Sequence, residues 1–190
     1  MLFRSTKEDP DGNGADDTFG LTGMSSDTLE SFSYVFGAFG TYPGVFTIST
    51  EGKVLRGEIE PGTKDALTVL NRWYQEGYLD PEFMVNQNDN MRGKVVNQKA
   101  GSVLNWWYTF YPAAVFYSGY FVENMKDTPA KWITIEPPVG PDGFRGTRQR
   151  GPTSSMIMFS SEVSDEKLAK YLQAIQLSAY TIDGIIARFY

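Results

Sequence analysis

The chain has 190 residues, with 17 Lys plus Arg against 23 Asp plus Glu, a net charge of −6, and neither His nor Cys. Without those two residue types it cannot build Ser-His-Asp or Cys-His nucleophilic machinery, thiolate or imidazole zinc sites, or disulfides. Acid–base chemistry is left to carboxylates, Tyr and Lys, metal binding is left to oxygen ligands, and the acidic balance argues against a nucleic-acid partner.

Residues 9 to 14 form a polar, Gly-rich loop with no apolar periodicity. A short helix is expected from Asp27, capped by Ser26 or Asp27, carrying Leu29, Phe32, Tyr34, Val35, Phe36 and Phe39 and ended by Gly37 and Gly40. Tyr42-Pro43-Gly44 reads as a turn, Val45 to Ile48 as a strand, and Glu51-Gly52 as the turn into a second strand at Lys53 to Arg56. The clearest helix runs from Pro61 to Glu76. Ala66, Leu67, Leu70, Trp73 and Tyr74 share one face, and Gly77 is placed to end it. Leu79-Asp80-Pro81 then forces an extended exit.

A further helix is expected over Asn88 to Gln98 and a short buried strand over Gly101 to Asn105. Pro112 opens another helix through Met125. Trp132 to Glu136 and Met156 to Phe159 read as strands, with a Gly-, Pro- and Arg-containing loop between them. Arg145, Arg148 and Arg150 fall in this loop as a solvated cluster. Ser164 caps a last helix lined by Leu168, Tyr171, Leu172 and Ile175. Helices alternating with short strands define an α/β class. The chain divides at about residue 150, where the Gly-rich loop resembles a crossing between two bodies. No stretch approaches the ~20 apolar residues of a membrane span. Met1-Leu2-Phe3-Arg4 starts no signal peptide, because no apolar run follows.

Two constellations carry possible chemistry. In Asp9-Pro-Asp11-Gly-Asn13-Gly14-Ala15-Asp16-Asp17, oxygen side chains alternate, Gly14 allows a sharp turn, Ala15 offers its carbonyl and Asp17 adds an oxygen. That order suits a calcium loop, with Asp9, Asp11, Asn13, Ala15 and Asp17 as ligands. It departs from an EF-hand at position 12, where Gly20 replaces the bidentate Glu, and in lacking a preceding helical stripe. A metal-free Asx-turn loop is the competing reading. The second constellation is Trp106, Trp107, Tyr108, Phe110 and Tyr111, five aromatics within six residues at a strand's carboxyl end. Ligands of α/β sheets bind beyond that end, and indole and phenol rings match the apolar faces of sugars. At least one of Trp106 and Trp107 is expected to face ligand. Tyr34, Phe36 and Tyr42 form a second, weaker set, and for each of them singly the core is the more frequent fate. Glu58, Glu60, Asp80, Glu82 and Glu136 could serve glycoside hydrolysis, but no local motif marks them, and loop or helix-surface roles account for them.

In order along the chain, Asp9 to Gly23, Phe36-Gly-Ala-Phe-Gly40, Glu60 to Phe83 with its Trp-Tyr-Gln-Glu-Gly-Tyr-Leu-Asp-Pro-Glu run, and Lys99-Ala-Gly-Ser-Val-Leu-Asn-Trp-Trp107 resemble the extracellular solute-binding proteins of ABC sugar importers. The nearest group is the lipoprotein-type oligosaccharide binders. The resemblance implies one lobe of a periplasmic-binding-protein-like type II fold, with no enzymatic activity. It implies capture of a carbohydrate by hinge closure and aromatic stacking from Trp106 or Trp107, and delivery to a membrane permease. The acidic loop resembles a structural calcium site of some members. Family members are longer, with a signal peptide, a lipidated cysteine and an N-terminal lobe. The resemblance therefore implies that residues 1–150 are the second lobe and 151–190 a hinge crossing and return segment of a cell-surface lipoprotein. The residues alone leave open a carbohydrate-active enzyme fragment working through carboxylates, or a calcium-stabilised interaction module.

Overall fold

The structure is a computed structural model describing residues 6, 8–10, 12–25, 29–49, 51–105, 124–128, 131–148 and 157–180. The chain forms two compact units, Met1–Gln149 and Arg150–Tyr190.

The first unit is organised on three extended parallel segments. The middle one, residues 19–22, pairs on one side through Leu21 with Leu79 and on the other through Phe19 with Ala100 and Thr22 with Val103. The Leu21 amide donates to the Tyr78 carbonyl at 3.0 Å and the Asp80 amide to the Leu21 carbonyl at 2.9 Å. Phe19 makes the equivalent pair of bonds with Lys99 and Gly101. These backbone bonds satisfy groups that would otherwise be orphaned beneath the helices.

A 3-10 turn, Glu30–Phe32, leads into α1, Ser33–Ala38. Hairpin strands β1 (Phe46–Ile48) and β2 (Val54–Arg56) follow, antiparallel with Thr47 opposite Leu55. Helix α2 spans Pro61–Gln75, with Pro61 in its first turn. Gly77 ends it at φ 75°, where the left-handed backbone favours glycine. The Gly77 amide reaches the Tyr74 carbonyl and the Tyr78 amide the Trp73 carbonyl, the paired bonds of a Schellman stop. Ala66 and Leu70 of α2 meet Phe32, Val35, Phe36, Leu21 and Leu79 in the main core, with Trp73 packed against it. Leu67 and Tyr74, expected on the same face, are 43% and 42% exposed, so the buried stripe is narrower than the spacing suggests. The Phe32 and Phe83 rings meet edge to face at 5.4 Å.

Helix α3, Asn88–Val96, begins with a capping box between Gln87 and Asn90. Its Val95 joins Ala100 and Met125 in a second apolar cluster, against which Val103 and Trp132 pack.

Two expected strands do not form. Among the described residues, 132–136 and 157–159 enter no strand ladder, and Ile133, Ile135, Ile157 and Met158 are exposed. A short apolar run specifies a strand only when a partner supplies its hydrogen bonds, and Pro137-Pro138 cuts the first run short. The expected strand over 101–105 is reduced to the bridges at Ala100 and Val103. The loop that follows Pro138 is not a free crossing at its start. A Cβ on Gly140 would lie 1.5 Å from the Ala38 carbonyl oxygen, and one on Gly37 would lie 2.1 Å from that of Gly146. Only glycine permits these backbones to approach so closely. Arg145 of this loop is ion-paired to Glu136.

The second unit is dominated by α4, Asp165–Tyr180. Ser164 starts it, its carbonyl accepting from the Leu168 amide at 2.9 Å. Glu166 and Lys170 pair one turn apart at 2.7 Å. Phe159 stacks at 5.9 Å on Tyr171, and Tyr171 and Leu172 are more than half exposed.

Candidate functional site

The three parallel segments end on one edge, at Thr22, Asp80 and Val103. The third continues through Leu104 and Asn105 directly into Trp106, Trp107 and Tyr108 in the sequence. Those three candidates, and Asp11 of the acidic loop, lie outside the described residues.

Behind this edge lies an arrangement that the sequence did not announce. Asp80, expected on a loop or helix surface, is fully buried. Its Oδ2 accepts from the Thr22 hydroxyl and from Asn86 Nδ2, both at 2.7 Å, and its Oδ1 accepts from the Glu82 amide at 3.0 Å. Lys94 Nζ stands 2.9 and 2.8 Å from the two carboxylate oxygens. Lys94 also donates to Glu82 and to Asn86 Oδ1, and lies 5.8 Å from the centre of the Phe19 ring. Burial pushes the Asp80 carboxyl up, but the hydrogen bonds from Lys94, Thr22, the Glu82 amide and Asn86 together outweigh it. Its pKa is held below the ordinary value. The available signal was the spacing of α3: Met91 and Val95 face inward, so Lys94, three residues after Met91, borders the buried stripe.

The acidic loop is ordered by its own side chains. Asp9 accepts backbone N–H bonds from Asn13 at 3.0 Å and Gly14 at 2.8 Å. Asn13 accepts from the Ala15 amide and donates to Asp17. Asp17 is also paired with Lys99 at 2.7 Å. The Lys99 hydrogen bond first, and that of Asn13 second, hold its carboxyl below the usual range. Among the described residues, no three acidic side chains converge as a ready-made metal cage.

The second aromatic set divides. Phe36 is 1% exposed within the main core, so its ring faces protein rather than solvent. Tyr34 is half-buried against the same core, and burial pushes its phenol well above the ordinary value. Tyr42 is half-buried, with its hydroxyl close against Gly146. The remaining candidate carboxylates are engaged: Glu58 by Arg56 and the Gly44 amide, Glu60 by the Thr47 hydroxyl, Glu136 by Arg145. Among the described residues, no helix is long and apolar enough to cross a membrane.

The fold is that of one α/β lobe of the periplasmic-binding-protein-like class. It superposes on a Streptococcus pneumoniae ABC-transporter substrate-binding protein, FusA, in complex with kestose. The TM-score is 0.58 at 19% identity, over 77% of this chain and 28% of that one. An EF-hand mutant of FusA in complex with fructo-nystose matches with the same TM-score and identity, over 82% of this chain and 28% of that one. In sequence the chain is 32% identical over 180 residues to lipoprotein LipO of Bacillus subtilis (strain 168), covering 90% of this chain and 33% of LipO. It is 23% identical over 196 residues to the polygalacturonan/rhamnogalacturonan-binding protein YtcQ of the same organism, covering 95% of this chain and 36% of YtcQ. The chain thus spans about a third of the length of these curated relatives. No protein-family model matches it.

Proposed function

We propose that this chain is a ligand-binding lobe of an extracellular solute-binding component of an ABC transporter. It captures an oligosaccharide and hands it to a membrane permease without chemical change. The observation that carries this is the shared carboxyl edge, where the third segment leads straight into Trp106, Trp107 and Tyr108. Indole and phenol rings at such an edge supply flat apolar faces for sugar rings, and their N–H and O–H groups bond hydroxyls. In this reading residues 1–150 are the second lobe, 151–190 the crossing and return segment, and the first lobe closes on the sugar from the other side about a hinge. The full-length protein is anchored at the cell surface by a lipidated cysteine. The engagement of Glu58, Glu60, Asp80 and Glu136 by donors favours binding over carboxylate catalysis.

The same proposal gives the acidic loop a calcium ion. Its donors are all oxygens, in the alternating order that a hard, large cation takes, and Asp9, Asp11, Asn13, the Ala15 carbonyl and Asp17 would hold it. The ion would be structural, ordering the loop beside the parallel segments through Asp17 and Lys99.

Titration calorimetry of the full-length protein with kestose, nystose and oligogalacturonides tests the reading. Binding of at least one, lost in Trp106→Ala or Trp107→Ala with no sugar cleaved, is the expected result. Cleavage of the sugar, or unchanged binding in both variants, would overturn it.

A further inference from the structure

The ligand-facing edge is only as well placed as the segments that form it, and one buried group touches most of them. Asp80 stands at the end of one outer segment and accepts from Thr22, at the end of the central one. It also accepts from Asn86 and from the Glu82 amide in the turn that follows. Its last partner, Lys94, belongs to α3. The Lys94 carbonyl accepts the Lys99 amide at 2.9 Å, and Ala100 opens the third segment one residue later. A single chain of contacts therefore runs from the central segment through Asp80 and Lys94 into 100–105, the stretch that delivers the chain to Trp106.

We propose that Lys94, acting through Asp80, is a positioning residue for this edge: it fixes the third segment, residues 100–105, against the central one. An ion pair fixes a register more sharply than apolar packing, because it tolerates few alternative geometries and is costly to leave half-made. Apolar side chains of similar volume often replace a buried ion pair at no loss of stability, so stability alone is a weak account of a buried charge. Lys94 is 14% exposed at its side chain and Asp80 0%, which excludes most water screening from the pair. The proposal rests on the reading that this edge receives ligand, but its structural half can be tested without a sugar.

The experiment uses the intact full-length protein and the variants Lys94→Met and Lys94→Arg. Amide hydrogen exchange is followed over 100–105 and, as an internal reference, over α2. Kd for kestose and for a galacturonate trisaccharide is measured in parallel. Lys94→Met should speed exchange over 100–105 at least about tenfold more than it speeds exchange over α2, since a local opening adds to the global loss of stability. It should weaken the sugar that the wild type binds by about tenfold, with Lys94→Arg recovering both through a bidentate pair. Unchanged exchange over 100–105, or an equal rise in α2, overturns the proposal. So does unchanged sugar affinity where the wild type binds. Should Lys94→Met fail to fold, Thr22→Val removes one donor and keeps the ion pair. The same local pattern then supports the proposal, and a uniform rise overturns it. A wild type that binds neither sugar defeats the oligosaccharide reading, while exchange still decides the positioning role.

Discussion

Two acidic centres of the first unit handle negative charge in opposite ways. Around Asp80 the protein supplies its own cation: Lys94 sits within 3 Å of both carboxylate oxygens, and three further donors complete the shell. Around Asp9 and Asp17 the side chains are more exposed, and backbone amides and one partly exposed lysine occupy their oxygens. The first arrangement is complete and serves as structure. The second is a set of alternating oxygens more lightly held by the chain, and under the proposed calcium reading it is the one that a cation from solvent would stabilise. The largest break between them comes from Lys94→Met. Leaving a buried carboxylate without its partner costs about 3–5 kcal/mol. Urea denaturation should show that loss, whereas Asp9→Asn, tested without calcium, should shift the midpoint far less. Equal losses in the two variants would erase the distinction.

Calcium should act on the second centre alone. At a hundred times its Kd, a ligand bound only by the native state adds about 2.7 kcal/mol. Added calcium should therefore raise the melting temperature and a chelator should reverse it. Asp9→Asn should abolish the response, and a folded Lys94→Arg should keep it. An unchanged melting temperature in wild type rejects the calcium loop.

Acid offers a finer test, because both centres have carboxyls held below their ordinary values. For such a group the unfolded chain binds the proton first. Its stabilising contribution is whole above the unfolded pKa, about 4, and is lost as pH falls through the native value. Stability measured from pH 6 downward should hold and then fall below about pH 4. Asp80→Asn starts lower but should lose less over that acid limb. Parallel acid limbs would show that Asp80 is not among the groups responsible.

How much of this was legible in sequence depended on what kind of interaction decides each position. Helix α2 was plain from Pro61 to Gly77, because its start, its apolar stripe and its glycine stop are all local. The hairpin was plain for the same reason, with Gly52 at its turn. The strands expected at 132–136 and 156–159 are not formed among the described residues, because a strand depends on a partner elsewhere in the chain, which an apolar run does not name. At the candidate site, the alternating oxygens of the acidic loop are a local pattern that spacing alone displays. Asp80 has no such pattern, since its partners Thr22, Asn86 and Lys94 lie 58 residues before it and 6 and 14 after it. Phe36 shows the converse ambiguity: an aromatic in a short Gly-flanked helix suits a binding face as well as the core that more often claims it, and Phe36 packs with Ala66 and Leu70 of α2 in the core.

The smallest expected effect on stability sharpens the comparison most. Lys99 is bonded to the acidic loop, reaching Asp17 Oδ2 at 2.7 Å, and both partners are more than a third exposed. An exposed pair of this kind contributes little, because water and salt screen it and two side chains must be ordered to hold it. Lys99→Met should leave the calcium-free protein almost as stable as wild type. It should nevertheless raise calcium affinity, because Asp17 then meets the ion without a competing ammonium, and local positive potential falls by one charge. The gain should shrink as salt is added, since screening weakens the charge being removed. If Lys99→Met instead lowers calcium affinity, Lys99 is holding Asp17 in a binding pose rather than competing for it. The loop would then resemble the Asp80 centre, as a site whose charge the protein has already organised.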